Sequence, residues 1–236
     1  MVLSDTTLYG SRPANFFAVE KLPGLVLTME RSGVPFWGVS SAVPKLDGLN
    51  VLLDAGQNRI YTRSALEIFR RFVEKGGTFI TFTTSGKYAF DGGKDFFETL
   101  NIPRKQGVFK AGKGKVVVLG NVKEYQDHAK LAALLAKYGV KPYVKLNAPV
   151  CNALFADGAR KYLVLHNKKR KLVGSYFTES GHDKAAASLK PVELLITPAF
   201  PFRRVWLLPE KKPLAVSNGK VKLTQPPLDT TVLLFE

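Results

Sequence analysis

The chain has 236 residues, 45% hydrophobic and 11% aromatic, which is enough apolar surface for one large core or two modest ones. Its 35 Lys and Arg against 19 Asp and Glu give a formal charge of +16, a balance that favours polyanions or an acidic partner over cationic ligands. No apolar run approaches the ~20 residues of a membrane helix, Met1 to Gly10 lacks the basic start and apolar core of a secretory signal, and the single Cys151 excludes an internal disulfide, all of which fits a cytoplasmic chain with no membrane partner.

In chain order, Val2 to Tyr9 reads as a first strand, followed by the loop SRPAN. Asn15 caps a candidate helix whose buried side is Phe16, Phe17, Val19, Leu22, Leu25, Val26 and Met29; Pro23-Gly24 kinks it and Gly33 ends it. Short strands follow at Trp37 to Ser41 and Leu46 to Leu53. The stretch TRSALEIFRRFVEKGGTFITFTTSGK, Thr62 to Lys87, is then a complete helix, turn and buried strand. Ala65, Leu66, Phe69, Phe72 and Val73 recur at helical spacing, Ser64 and Glu67 have the spacing of a capping box, and Gly76 or Gly77 supplies the left-handed stop. The run TFITFTT is β-branched and aromatic throughout, as in a strand covered on both faces. Next come a short helical piece at Phe96 to Leu100, a buried strand at Lys115 to Leu119, and an amphipathic helix from Asp127 to Tyr138 closed by Gly139. Repeated strand, helix, strand order predicts an α/β fold over residues 1–147, a flavodoxin-like parallel sheet with helices on both faces.

From about residue 147 helical periodicity disappears. Short strands separated by turn residues take over at Val150 to Phe155, Tyr162 to Asn167, Leu172 to Phe177, Val192 to Ile196, Arg203 to Leu207, Leu214 to Ser217, Lys220 to Leu223 and Thr230 to Phe235. Asp157-Gly158 and Asn218-Gly219 are hairpin signals. Residues 148–236 therefore read as an antiparallel β-sandwich.

The succession FVEKGGTFITFTTSGKY, KGKVVVLGN, a helix, the hairpin DGARKYLVLHN and the final PPLDTTVLLFE resembles the C-terminal part of the multi-domain β-galactosidases of glycoside hydrolase family 42. In that family a catalytic barrel is followed by a domain shaped like a class I glutamine amidotransferase, used for trimerisation, and then by a small β-domain. The resemblance implies a non-catalytic accessory module that forms a homo-oligomer, a trimer by analogy, or joins a catalytic barrel subunit. The catalytic carboxylates would lie on the barrel, for whose ~250 residues this chain has no room. It implies no cofactor and no metal.

The residues agree on the lack of a reaction centre. Cys151 precedes Asn rather than a glycine elbow, so it reads as a small core residue, and Thr84-Ser85-Gly86-Lys87 matches neither a nucleophile elbow nor a phosphate loop. His128, His166 and His182 lack partners at metal-ligand spacing, and the acid pairs Glu179/Asp183 and Asp91/Asp95 lie in loops. Binding or interface roles fall to Tyr88 and Phe90, just beyond the central strand where α/β sheets bind ligands, and to Phe200, Phe202, Arg203 and Arg204, since aromatics and Arg are enriched in interfaces. The basic block Lys168-Lys169-Arg170-Lys171 is either a solvated hairpin turn or a polyanion contact, the latter making the chain a binding module for nucleic acid or an acidic glycan. The charge excess itself is diffuse, about +9 before residue 148 and about +7 after it.

Overall fold

The computed structural model describes residues 2–3, 25, 28–36, 39–40, 46–54, 60–89, 92–167, 190–227 and 229–236. The expected strand at Leu172 to Phe177, most of the expected first helix, and Phe90, Asp91, Lys168, Lys169, Arg170, Lys171, Glu179, His182 and Asp183 lie outside these residues. Two compact units form, one from Met1–Thr28 with Phe36–Gly139, the other from Met29–Pro35 with Val140–Glu236.

In the first unit, β1 (Val2–Leu3) pairs in parallel with β2 (Val39–Ser40). Then come β3 (Val51–Leu53), β4 (Ile60–Tyr61), α1 (Arg63–Glu74), β5 (Thr78–Phe82), β6 (Tyr88–Ala89), α2 (Phe96–Thr99), β7 (Gly107–Ala111), β8 (Gly114–Leu119) and α3 (His128–Ala136). Helix α1 buries Ala65, Leu66, Phe69, Phe72 and Val73, the stripe its spacing predicts. Its cap is Thr62, not Ser64: extended Thr62 accepts from the Ala65 N–H, while Glu67 turns sideways to Arg70, whose hydrogen bond holds the Glu67 carboxyl below its usual range. Asp95 and Glu98 do form a capping box, on α2.

The sheet order is β3-β5-β8-β7, with β3, β5 and β8 parallel and β7 antiparallel to β8. The flavodoxin-like, class I glutamine amidotransferase-like parallel sheet with helices on both faces is therefore not what forms. The described residues are mostly β, with seventeen strands in five sheets, and after β5 the chain returns through a hairpin rather than a second full crossover. The reason lies in GVFKAGKGKVVVL: KVVVL reads as a buried crossover strand, but the preceding GVFKA alternates in burial and folds back onto it through Gly112-Lys113. Gly114 is needed there because a Cβ would stand 2.2 Å from the carbonyl oxygens of Val73 and Gly77, backbone atoms that cannot yield.

The second unit contains β9 (Val144–Leu146), β10 (Cys151–Asp157), β11 (Arg160–His166), β12 (Val192–Pro198), β13 (Val205–Leu208), β14 (Lys212–Pro213), β15 (Val216–Ser217), β16 (Lys220–Gln225) and β17 (Thr230–Phe235). They form two antiparallel sheets, β10-β11-β17-β13-β14 and β15-β16-β12-β9. Leu163, Leu165, Leu233 and Phe235 of the first share one core with Val144, Leu194, Ile196 and Val221 of the second. The Asn218-Gly219 turn takes left-handed φ values of 50° and 70°, as a two-residue hairpin of that composition requires.

Tyr143 ties this unit together. Its N–H donates to the Gly33 carbonyl at 2.7 Å, its carbonyl accepts from Ala199 at 2.9 Å, and its hydroxyl donates to the Asn152 carbonyl at 3.0 Å. Burial raises the phenol to about 12. A group raised on folding stabilises fully below its unfolded value, about 10, and loses that contribution as pH climbs toward the folded one. Stability measured by urea titration is thus expected to fall between those two pH values, and less so in Tyr143→Phe. An identical pH profile in that variant would refute this.

Candidate interaction surfaces

At the carboxyl ends of β3 and β5 the first unit buries a polar knot. Asp54, fully buried, accepts at Oδ2 from the Tyr61 hydroxyl and the Thr81 hydroxyl, both at 2.9 Å. The loop after β5 is pinned by Arg104, whose Nη1 donates to the carbonyls of Thr83 (3.0 Å) and Ser85 (2.8 Å) and whose Nη2 donates to the Gly86 carbonyl (3.0 Å) and Asp95 Oδ2 (2.8 Å). The guanidinium also lies 4.1 Å over the Phe97 ring. Ser85 is fully buried, so this loop is a clamped turn rather than an exposed nucleophile elbow. Tyr88 follows on β6, paired in register with Ile60 of β4. Among the described residues, a groove of about 520 Å³ lies at the opposite, amino end of β5, floored by Leu49, Ile68 and Phe72 and rimmed by Asp47, Arg71 and Lys75. Nothing in the local sequence marks either feature, since both depend on segments distant in the chain.

In the second unit Phe200 and Phe202 are half-buried and stand edge-on to Phe235 at 5.3 and 5.2 Å, with interplanar angles of 88° and 84°. They grip the last strand. Arg203 and Arg204 have exposed side chains, while their backbone N–H groups both donate to the Glu236 carbonyl. Trp206 Nε1 donates to Glu236 Oε2 at 2.9 Å, and Arg160 stands 3.7 Å from the same carboxylate. The turn is therefore stapled to the chain end with two cations left facing outward.

Cys151 sits directly opposite His166 across the β10–β11 ladder, and both line a cavity of about 260 Å³ with Glu30, Ala153 and Val164. Sequence spacing does not bring these groups together; strand register does. Burial first, and the Glu30 charge second, push the thiol up, so it is held as a neutral group rather than a thiolate. His166 Nδ1 is 3.0 Å from the Thr230 hydroxyl. Cys151 is accordingly expected to react with a disulfide reagent at pH 8 roughly tenfold or more slowly in the folded chain than in urea. Equal rates would contradict its placement. Among the described residues no group of three or more His, Cys, Asp or Glu is arranged to hold a metal ion, and no helix is long and apolar enough to cross a membrane.

No protein-family model and no curated protein matches the sequence. Solved structures match in shape. The β-galactosidase of Bacillus circulans sp. alkalophilus superimposes with a TM-score of 0.60 at 14% identity over 92% of this chain and 37% of its own. The fold is similar to part of a GH42 β-galactosidase, that of G. stearothermophilus, at a TM-score of 0.59 and 12% identity over 92% of this chain and 36% of its own. The cold-adapted β-galactosidase of Rahnella sp. R3 matches with a TM-score of 0.60 at 13% identity, over 99% of this chain and 40% of its own. An exo-carrageenase GH42 from Bacteroides ovatus matches at 0.52 and 18% identity, over 92% of this chain and 26% of its own. This chain thus spans well under half the length of each of these proteins.

Proposed function

We propose that the chain is a non-catalytic accessory and oligomerisation module of a β-galactosidase-like glycoside hydrolase, corresponding to the region that follows the catalytic barrel. The observation that carries this reading is the pairing of coverages: 92% of this chain aligns with only 37% of the B. circulans β-galactosidase, so both units have counterparts there while most of that enzyme has none here. Fold alone does not transfer chemistry, and the catalytic carboxylates are assigned to polypeptide outside this chain. Its work is assembly, either with copies of itself, a trimer by resemblance, or with a barrel-bearing chain.

The test is light scattering across concentration, with and without a GH42 barrel chain, alongside hydrolysis of an aryl-galactoside. The reading expects a mass that grows with concentration or on adding the barrel, and no hydrolysis by this chain alone. Turnover by the purified chain, or a monomer indifferent to both additions, would sink it.

The net charge of +16 and the outward-facing Arg203 and Arg204 favour a second reading, a binding module for nucleic acid or an acidic glycan. Retention on immobilised heparin or DNA should then fall steeply with added salt, because the binding energy comes from released counterions. Weak retention that hardly changes with salt would dismiss it.

A further inference from the structure

Among the described residues strand β10 is the edge of the five-stranded sheet, and apart from Asp157 beside the turn it carries none of the residues that normally blunt an edge. The other described edges of the four- and five-stranded sheets are protected. Strands β14 and β15 are two residues long, the former with Pro213; β3 and β9 are three residues long; and β7 carries Gly107 and Lys110. By contrast β10 runs seven residues, Cys-Asn-Ala-Leu-Phe-Ala-Asp, with neither proline nor lysine. Its fifth residue is Phe155, 59% exposed and one of three exposed large apolar side chains among the described residues. In a chain of +16, residues 147–158 hold no cation at all.

The direction of the backbone groups follows from the turn. Gly158 (φ 55°) and Ala159 make a two-residue hairpin, so the flanking pair Asp157 and Arg160 exchanges both ladder hydrogen bonds. Bonded and non-bonded pairs alternate, so Phe155, Ala153 and Cys151 also bond inward, and Asn152, Leu154 and Ala156 aim their N–H and C=O groups away from the sheet. The Asn152 carbonyl is indeed met from that side by the Tyr143 hydroxyl. No backbone partner meets Leu154 or Ala156 there among the described residues.

We infer that β10 pairs with β10 of a second copy, antiparallel about a two-fold axis at Phe155, joining the two five-stranded sheets into one. In that register Leu154 meets the partner copy's Ala156 and the reverse, giving four backbone hydrogen bonds, while the two Phe155 rings face each other as a non-bonded pair. The row Trp206, Leu234, Tyr162, Phe155, contiguous by register across one face, continues into the same row of the other copy. Local self-complementarity is what a closed two-fold contact needs, and the absence of cations lets two strongly basic chains approach here. The contact is small, so the dimer is weak and concentration-dependent. This inference deepens the assembly reading and rests on it only for its biological meaning.

The experiment follows mass by light scattering or sedimentation from about 5 to about 500 µM, a range that brackets weak association. Wild-type mass should rise toward that of a dimer. Phe155→Lys, which puts a charge on the edge, and Ala156→Pro, which deletes an outward N–H, should stay monomeric with unchanged circular dichroism. In Phe155→Cys the two thiols would sit on Cα atoms about 4.5 Å apart, within disulfide reach, so mild oxidation should yield a covalent dimer. Val216→Cys, exposed but on β15 of the other sheet, should not. If both edge variants associate like wild type, assembly occurs elsewhere; the edge pairing is overturned and the assembly reading survives. If wild type is monomeric throughout, or instead takes up an extended peptide from another protein along β10, the self-pairing is overturned. The monomer result also removes homo-oligomerisation from the functional reading.

Discussion

Phe79→Ala is expected to cost the first unit about 3–5 kcal/mol. Phe79 is fully buried on β5, its ring 5.4 Å from Phe69 of α1 and 5.0 Å, nearly perpendicular, from Phe96 of α2. Phe69 and Phe96 in turn both touch Tyr61, so one ring holds together a four-ring cluster bridging the sheet and two helices. Removing it deletes the transfer energy of the ring and leaves a void that a sheet pinned between β3 and β8 cannot collapse around. Since domains are stable by only about 5–15 kcal/mol, the variant should be half unfolded at a much lower urea concentration with little change in slope. Phe79→Leu should recover more than half of the loss. A shift worth less than about 1 kcal/mol would mean the cluster is not packed as described.

Arg104→Met is the second large effect, about 3 kcal/mol, or on the order of 10 °C in melting temperature. The guanidinium, 29% exposed, is the shared donor for three loop carbonyls and the Asp95 carboxylate. Methionine keeps the stem and the contact with Phe97 but leaves those acceptors without their donor. Lysine should restore less than half of the stability, because a compact ammonium cannot reach four acceptors set in a fork. Hydrogen exchange should show the loss concentrated in residues 83–89 and α2. A variant with wild-type stability, or one whose exchange changes equally everywhere, would show that the clamp is not what holds this loop.

Much of the local structure was legible from residues alone. Helix α1 was readable because its five buried side chains recur on one face, and the hairpins because few residue types tolerate the backbone angles of Gly158 and Asn218-Gly219, although the first turn falls on Gly158-Ala159, one residue later than Asp157-Gly158 implied. Strand β17 matched its apolar run residue for residue. What escaped was the β7–β8 hairpin, where a continuous apolar run concealed that its neighbour was a partner strand, and the helix cap, where Ser64 had the right spacing but Thr62 had the right backbone. Arg104 was invisible. A lone arginine after proline carries no local sign that its partners lie 9 to 21 residues back.

The amino-acid sequence by itself determined helix α1, strands β5, β8 and β17 and the glycine turns, and that the molecule is strongly basic with one thiol, because periodicity, special backbone angles and ionisable groups act within a few residues. Tertiary structure alone decided which strand lies beside which: that β17 inserts between β11 and β13, that Cys151 faces His166, and that among the described residues β10 stands at the end of its sheet. Pairing partners are chosen by burying apolar faces from all parts of the chain at once, and a seven-residue strand reads the same whether its outer backbone groups find a neighbour or remain free.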